Sequence, residues 1–223
     1  MTATPENSLG FFTTLVKFIQ DGGPFMYIIL LVFTLGLAIA IERFIYLQLV
    51  TRKNRTTWEL LFPLLQKGQF KNAYQLAQNS DAAIAKILIY GFDRSQVSNQ
   101  ADEIELAMEE GLMECIPRLE QRTPYLATFA NIATLLGLLG TIMGLISAFT
   151  AVASADPTQK ADLLSASISV AMNTTALGLM TAIPLLLVFS VLQSMTTQIV
   201  DSMEMASVKF LNTFKHATQN TAE

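Results

Sequence analysis

Two long uncharged segments in the second half of the chain carry rows of small and hydroxyl residues. They run from Thr123 to Ala155 and from Leu163 to Val200. Hydroxyl and amide oxygens can bind water or a hard cation, and glycines let two helices approach closely. Helices that face only lipid need neither, so these rows predict helices packed around a polar path or against a partner. The first row comprises Asn131, Thr134, Gly137, Gly140, Thr141 and Gly144, and the second comprises Ser165, Ser167, Ser169, Asn173, Thr174, Thr175, Gly178 and Thr181.

These rows allow two interpretations, helix packing and a polar path. Gly140 and Gly144 form a small-xxx-small pattern, which is typical of closely packed helices. Packing explains the polar residues less well, because an unsatisfied amide in hydrocarbon costs several kcal/mol. The three consecutive residues Asn173, Thr174 and Thr175 therefore favour a surface lined by water or by protein.

Ionisable side chains are missing from both segments, which contain no Asp, Glu, Lys or Arg. Ion relays in membranes usually use such a group, so a proton-carrying carboxylate would have to come from another subunit. The only histidine, His216, follows the second segment, and the single cysteine, Cys115, precedes the first. Because the segments hold neither a base for a nucleophile nor a Cys/His metal spacing, we expect no enzymatic activity, no metal site and no cofactor.

The composition predicts a membrane protein. Of the 223 residues, 52% are hydrophobic and only 14% are charged, against about 25% charged residues in soluble domains. The net charge of -4 argues against nucleic acid as a partner. A cleaved signal peptide is not expected, because the first apolar run ends in Glu42 and Arg43 rather than at a small-residue cleavage site.

Three transmembrane helices are predicted to organise the chain. The first covers residues 24–41, the second 124–155, and the third 163–200 with an extension into the cytoplasm. Basic residues cluster after the first span and before the second, and the positive-inside rule then places the intervening segment in the cytoplasm. The N-terminus is therefore predicted to be periplasmic and the C-terminus cytoplasmic. The basic residues concerned are Arg43, Arg52, Lys53, Arg55, Arg118 and Arg122.

The other segments complete an all-α membrane protein with a helical cytoplasmic insertion. Residues 1–23 are predicted to form an interfacial amphipathic helix on the periplasmic side. Residues 156–162 form a periplasmic link, and residues 201–223 form a cytoplasmic tail. The cytoplasmic segment, 42–123, shows helical spacing of its apolar residues, with a turn at 67–69 and a polar break over 93–99.

Two motifs resemble signatures of the MotA/TolQ/ExbB family, and the resemblance covers nearly the whole chain. They are LGLLGTIMG at 136–144 and AMNTTALGLMTAIP at 171–184. Three spans and a long first cytoplasmic loop favour the ExbB/TolQ branch over the four-span flagellar branch. The resemblance implies a homopentamer whose second and third spans line a central pore. It also implies a single-span partner, similar to ExbD, TolR or MotB, whose dimer occupies that pore and carries a membrane aspartate.

The resemblance assigns expected roles to individual residues. Thr141 and Thr175 match pore-facing hydroxyl residues of the family, and Pro184 matches its third-span proline. Val170 occupies a position where many ExbB and TolQ proteins carry a glutamate. The chain therefore lacks that titratable group and offers the neutral oxygens of Asn173 and Thr174 as ion ligands. The expected ion path comprises Thr134, Thr141, Asn173, Thr174 and Thr175, and the expected packing residues are Gly137, Gly140, Gly144, Gly178 and Pro184.

The resemblance implies a stator and ion-channel subunit of a motor in the bacterial inner membrane. Ion flow would power outer-membrane transport or envelope maintenance, with TonB-like or cell-wall components engaged indirectly. We expect H⁺ as the transported ion, with Na⁺ as the alternative. Two other functions stay open, a flagellar or gliding motility stator and a non-conducting membrane scaffold. The scaffold alternative predicts that Thr175→Val leaves activity intact.

Overall fold

The computed structural model describes residues 13, 16–20, 22–98 and 100–220, and it is helical almost throughout. No residue in these ranges belongs to a β-strand, so the predicted all-α fold is confirmed. Residues 16–20 are helical, whereas residues 1–12 of the predicted interfacial helix lie outside the described part. The longer elements are α1 (Pro24–Gln66), α2 (Phe70–Gln78), α3 (Ala83–Val97), α4 (Ala101–Glu120), α5 (Thr123–Ser154) and α6 (Lys160–Asn220).

Three helical stretches are long and apolar enough to cross a membrane, as predicted. They lie within Pro24–Gln66, Ala101–Ser154 and Lys160–Ala217. In each stretch, no more than 28% of an apolar 18-residue segment is buried within the chain. Most of these apolar side chains therefore face outward, which suits helices surrounded by lipid or by other protein chains.

The chain divides into two compact units, and the first contains residues up to Ile41 together with Pro124–Phe189. In its core, Ile29 and Val32 of α1 pack against Ala133 of α5. Helices α1 and α6 also approach closely, because a Cβ added to Gly36 would lie 2.8 Å from a methyl group of Leu185. This unit holds both rows of small and hydroxyl residues.

The second unit combines Glu42–Thr123 with the part of α6 that begins at Ser190. Phe210 of α6 is fully buried, and its ring centroid lies 4.8 Å from that of Phe92 on α3. The absence of a side chain at Gly91 leaves room for Met108 of α4, because a Cβ added to Gly91 would lie 2.8 Å from the Met108 side chain. The helical spacing of apolar residues predicted for this segment is confirmed by the burial of Leu61, Leu65, Ile84, Ile87 and Leu88.

Of the two helix boundaries predicted for this unit, one is confirmed and the other is wrong in part. The turn at 67–69 is confirmed, and Gly68 adopts φ +68° there, a conformation that glycine tolerates best. The polar break predicted over 93–99 is wrong for residues 93–97, because α3 continues to Val97. Its two charged residues are partnered on the helix surface instead. Asp93 accepts a hydrogen bond of 2.8 Å from Tyr74, and Arg94 pairs with Glu103 at 3.0 Å.

Candidate functional site

The two polar rows meet where α5 and α6 pack through glycines. A Cβ added to Gly178 would lie 2.7 Å from the carbonyl oxygen of Ala133 and 3.1 Å from Cα of Gly137. A Cβ added to Gly144 would lie 2.7 Å from Cβ of Ala171, and one added to Gly140 would overlap the Thr174 methyl group. The two backbones are therefore so close that side chains at these positions would separate the helices.

Thr175 uses this close approach to make a hydrogen bond between the helices. Its hydroxyl donates to the carbonyl oxygen of Gly137 at 2.8 Å. The side chain is half-buried, and its orientation is set by an acceptor on the other helix. Because the proton is engaged with Gly137, the free lone pairs of the hydroxyl remain available as acceptors.

Thr174 has a different environment from its neighbour. Only 2% of the residue is exposed. Its hydroxyl donates to the carbonyl oxygen of Gly22 at 2.8 Å and lies 3.0 Å from that of Val170. Thr174 thus anchors the turn that precedes α1, and we leave it out of the ion path proposed below. Sequence reasoning missed Gly22, because a backbone acceptor leaves no sequence signal.

Removing the Thr174 hydroxyl should destabilise the first unit. We expect Thr174→Val to cost about 1–3 kcal/mol, because the buried carbonyl of Gly22 would lose its donor. Thr174→Ser keeps the hydroxyl and should retain most of the stability. Thermal unfolding of the purified protein in detergent measures both variants. Equal midpoints for Thr174→Val and the unchanged protein would contradict this role.

Thr134 and Thr141 satisfy their hydroxyl protons within α5. Thr134 donates to the carbonyl oxygen of Ala130 at 3.1 Å, and Thr141 donates to that of Leu138 at 2.6 Å. Thr134 is exposed and Thr141 is half-buried. Their oxygens can therefore accept hydrogen bonds or coordinate a cation outside the helix.

Two asparagines in the apolar helices have no hydrogen-bond partner among the described residues. Asn173 of α6 is half-buried, and Asn131 of α5 is exposed. Asn131 precedes Thr134 by three residues and Thr141 by ten, which places all three on one side of α5. Sequence reasoning placed Asn131 in the polar row of α5 but did not select it as an ion-path residue, although this spacing was available.

Pro184 lies on an exposed side of α6, and the helix continues through it. Its missing N–H leaves the carbonyl of Met180 without its usual helical donor. Within the chain it is the next residue, Leu185, that is buried and packs beside Gly36. A packing role for Pro184 against another subunit stays a prediction.

Residues 79–205, which include all of α5 and the polar row of α6, match the MotA/TolQ/ExbB proton channel family. The chain belongs to this family. An ExbB-like biopolymer transport protein of Synechocystis sp. is 30% identical over 163 residues, which cover 72% of this chain and 76% of the relative. A second ExbB-like protein of that organism is 32% identical over 188 residues, covering 81% of this chain and 71% of the relative.

The relatives also place the chain in the ExbB/TolQ-like branch of the MotA/TolQ/ExbB family. The Tol-Pal system protein TolQ of Haemophilus influenzae is 34% identical over 84 residues, which cover 38% of this chain and 36% of TolQ. The three membrane-spanning candidates agree with this branch. The chain is thus a membrane subunit of a channel and transport family rather than of an enzyme family.

Proposed function

We propose that this chain is the stator and ion-channel subunit of an inner-membrane motor driven by the ion-motive force. Five copies would surround a pore lined by α5 and α6. A dimer of a single-span partner similar to ExbD or TolR would occupy the pore and supply the ion-binding carboxylate. Membership of the MotA/TolQ/ExbB family supports this assembly, and the uncharged spans explain why a partner is needed.

The observation that carries the proposal is the unpartnered amide of Asn173 in an apolar helix. An amide in hydrocarbon must find water or protein, because leaving it unsatisfied costs several kcal/mol. No described residue of the same chain satisfies it. Together with Asn131 and the hydroxyl oxygens of Thr134 and Thr141, this amide favours a wet surface facing other chains.

In this proposal the neutral oxygens form the path and the partner carries the charge. Each elementary charge that crosses the membrane releases about 2.3 kcal/mol per 100 mV. An ion would move along Thr134, Thr141, Asn173 and Thr175 and bind transiently at the partner's aspartate. Neutralising that carboxylate lowers the cost of turning it past the apolar wall of the pore. Repeated binding and release would drive rotation of the pentamer relative to the dimer.

Replacing the Thr141 hydroxyl tests this path without changing the packing between α5 and α6. We expect Thr141→Val to reduce ion flux about tenfold or more, which corresponds to ~1.4 kcal/mol in the barrier. Thr150→Val is the matched control, because Thr150 is an exposed residue of α5 that also donates within its own helix, at 2.8 Å to Ile146. Flux is measured in liposomes that contain the chain and its partner.

Three outcomes of this experiment decide between the candidate functions. Loss of flux in Thr141→Val alone supports the proposed path. Equal flux in both variants overturns the path, and absence of any flux in the assembled complex favours a scaffold. Flux that follows pH at constant Na⁺ assigns protons, whereas flux that requires Na⁺ makes the hydroxyl and amide oxygens a coordination site.

A further inference from the structure

A cavity of about 140 Å³ lies in the second unit among α1, α3 and α4. From α1 it is lined by Lys53 and Asn54, and from α3 by Lys86. Glu114, Cys115 and Arg118 of α4 line the opposite side, and Asp81 borders the start of α3. None of these residues takes part in the ion path proposed above.

Two of the three cations in this cavity form no ion pair within the part of the chain that the structure describes. Lys53 and Lys86 are exposed and form no ion pair or side-chain hydrogen bond with any described residue. Arg118, in contrast, lies 3.5 Å from Glu114. Glu114 also accepts a hydrogen bond of 2.8 Å from Tyr90. The carboxylate of Glu114 is thus engaged on α3 and α4, which leaves the two lysines free to meet an external anion.

Asn54 adds a buried donor beside these lysines. Only 4% of the residue is exposed, and its Oδ1 accepts a hydrogen bond of 3.2 Å from the N–H of Ile84. That backbone donor must meet an oxygen, which fixes the orientation of the amide. Its Nδ2 group is buried and has no hydrogen-bond partner. Such a donor is costly unless a ligand or water satisfies it.

The neighbouring groups keep the negative charge of the cavity low. Burial raises the pKa of the Cys115 thiol, so it stays neutral near pH 7. The hydrogen bond to Glu114 raises the pKa of Tyr90, which stays a phenol. The first turn of α3 adds the partial positive charge of a helix N-terminus. Two acidic groups line the cavity: Glu114, which is paired with Arg118, and Asp81, which is exposed to solvent.

We propose that this cavity binds a phosphate group, with Lys53, Lys86 and the Nδ2 of Asn54 as donors. Ammonium groups and a neutral amide donor are suited to a tetrahedral oxyanion. The phosphate can belong to a soluble phosphate compound or to the head group of an anionic lipid, because the same donors recognise both.

Binding to the intact protein tests this site independently of ion flux. Inorganic phosphate is titrated into the protein in a neutral detergent, and a second series compares nanodiscs of phosphatidylglycerol with nanodiscs of phosphatidylcholine. We expect Lys53→Ala and Lys86→Ala each to weaken binding about tenfold. Lys71→Ala is the control, because Lys71 is an exposed lysine of α2 that does not line the cavity.

Asn54→Asp separates binding from folding. The carboxylate has the same size, can still accept from Ile84, and suits the N-terminus of α3. It removes the donor and repels an anion, so binding should fall below detection, and the unfolding midpoint measured beside it distinguishes loss of binding from loss of folding. Asn54 also borders an apolar cavity of about 400 Å³ beside α6, and the lysine variants identify which cavity is occupied.

The phosphate titration and the nanodisc comparison together identify the source of the bound phosphate group. Binding of inorganic phosphate that depends on Lys53 and Lys86 supports a soluble ligand. Dependence on phosphatidylglycerol alone, with the same lysines required, supports a lipid head group. The proposal is overturned if neither phosphate source binds, or if Lys71→Ala weakens binding as much as Lys86→Ala.

Discussion

Gly178→Val should disrupt the packing of the first unit, and we expect no assembled complex from this variant. The first atom of the new side chain would lie 2.7 Å from the carbonyl oxygen of Ala133 and 3.1 Å from Cα of Gly137. Both atoms belong to the backbone of α5, so no side-chain rotation relieves the overlap. The helices must separate, which also breaks the hydrogen bond between Thr175 and Gly137.

The expected cost of Gly178→Val is at or above the upper end of about 1–3 kcal/mol typical of overpacked sites. Size-exclusion chromatography and thermal unfolding in detergent measure the loss. Leu179→Val is the matched control, because Leu179 is the next residue of α6 and is exposed. A Gly178→Val protein that assembles and unfolds like the control would show that α5 and α6 do not depend on this contact.

Arg43→Leu should destabilise the second unit by about 3 kcal/mol, because it removes a charged donor from buried carbonyl groups. Only 3% of Arg43 is exposed. Its Nη2 donates to the carbonyl oxygen of Leu119 and lies 3.5 Å from that of Arg118. These carbonyls belong to the last turn of α4, where helical partners are missing and partial negative charge collects.

The guanidinium of Arg43 is suited to this position in a way that lysine is not. It lies over the ring of Tyr46, with Cζ 4.6 Å from the centroid. A planar guanidinium can stack on an aromatic ring while one of its nitrogens donates to carbonyl groups, whereas an ammonium group is a compact point charge. We therefore expect Arg43→Lys to recover only part of the stability lost in Arg43→Leu.

The region beside Arg43 offers a matched comparison for this prediction. Arg122, in the turn immediately before α5, adopts φ +65° and pairs with Glu42 at 2.8 Å. This pair is exposed and worth about 0–1 kcal/mol, so Glu42→Gln should change stability little. Arg52→Leu serves as a second control, since Arg52 is exposed. Urea unfolding monitored by circular dichroism compares the variants, and equal effects of Arg43→Leu and Arg52→Leu would refute the role of Arg43.

The amino-acid sequence by itself determined the fold class and the family of this chain. Hydrophobic runs and helical periodicity are local properties, so the apolar spans within α1, α5 and α6 could be predicted from the order of residues along the chain. The motifs at 136–144 and 171–184 supplied the family because they combine glycines and hydroxyls in a specific order. The absence of charge from the spans likewise predicted the need for a partner.

Only the tertiary structure decided what the individual polar residues contact. Thr174 and Thr175 are adjacent in sequence, but successive side chains of a helix point about 100° apart. One hydroxyl therefore bonds to Gly22 and the other to Gly137. The same applies to Asn54 and to Arg43, which in the sequence marked the end of the first apolar run and the orientation of the chain. Their partners are backbone groups far along the chain, which come within hydrogen-bonding distance only when packing brings them together.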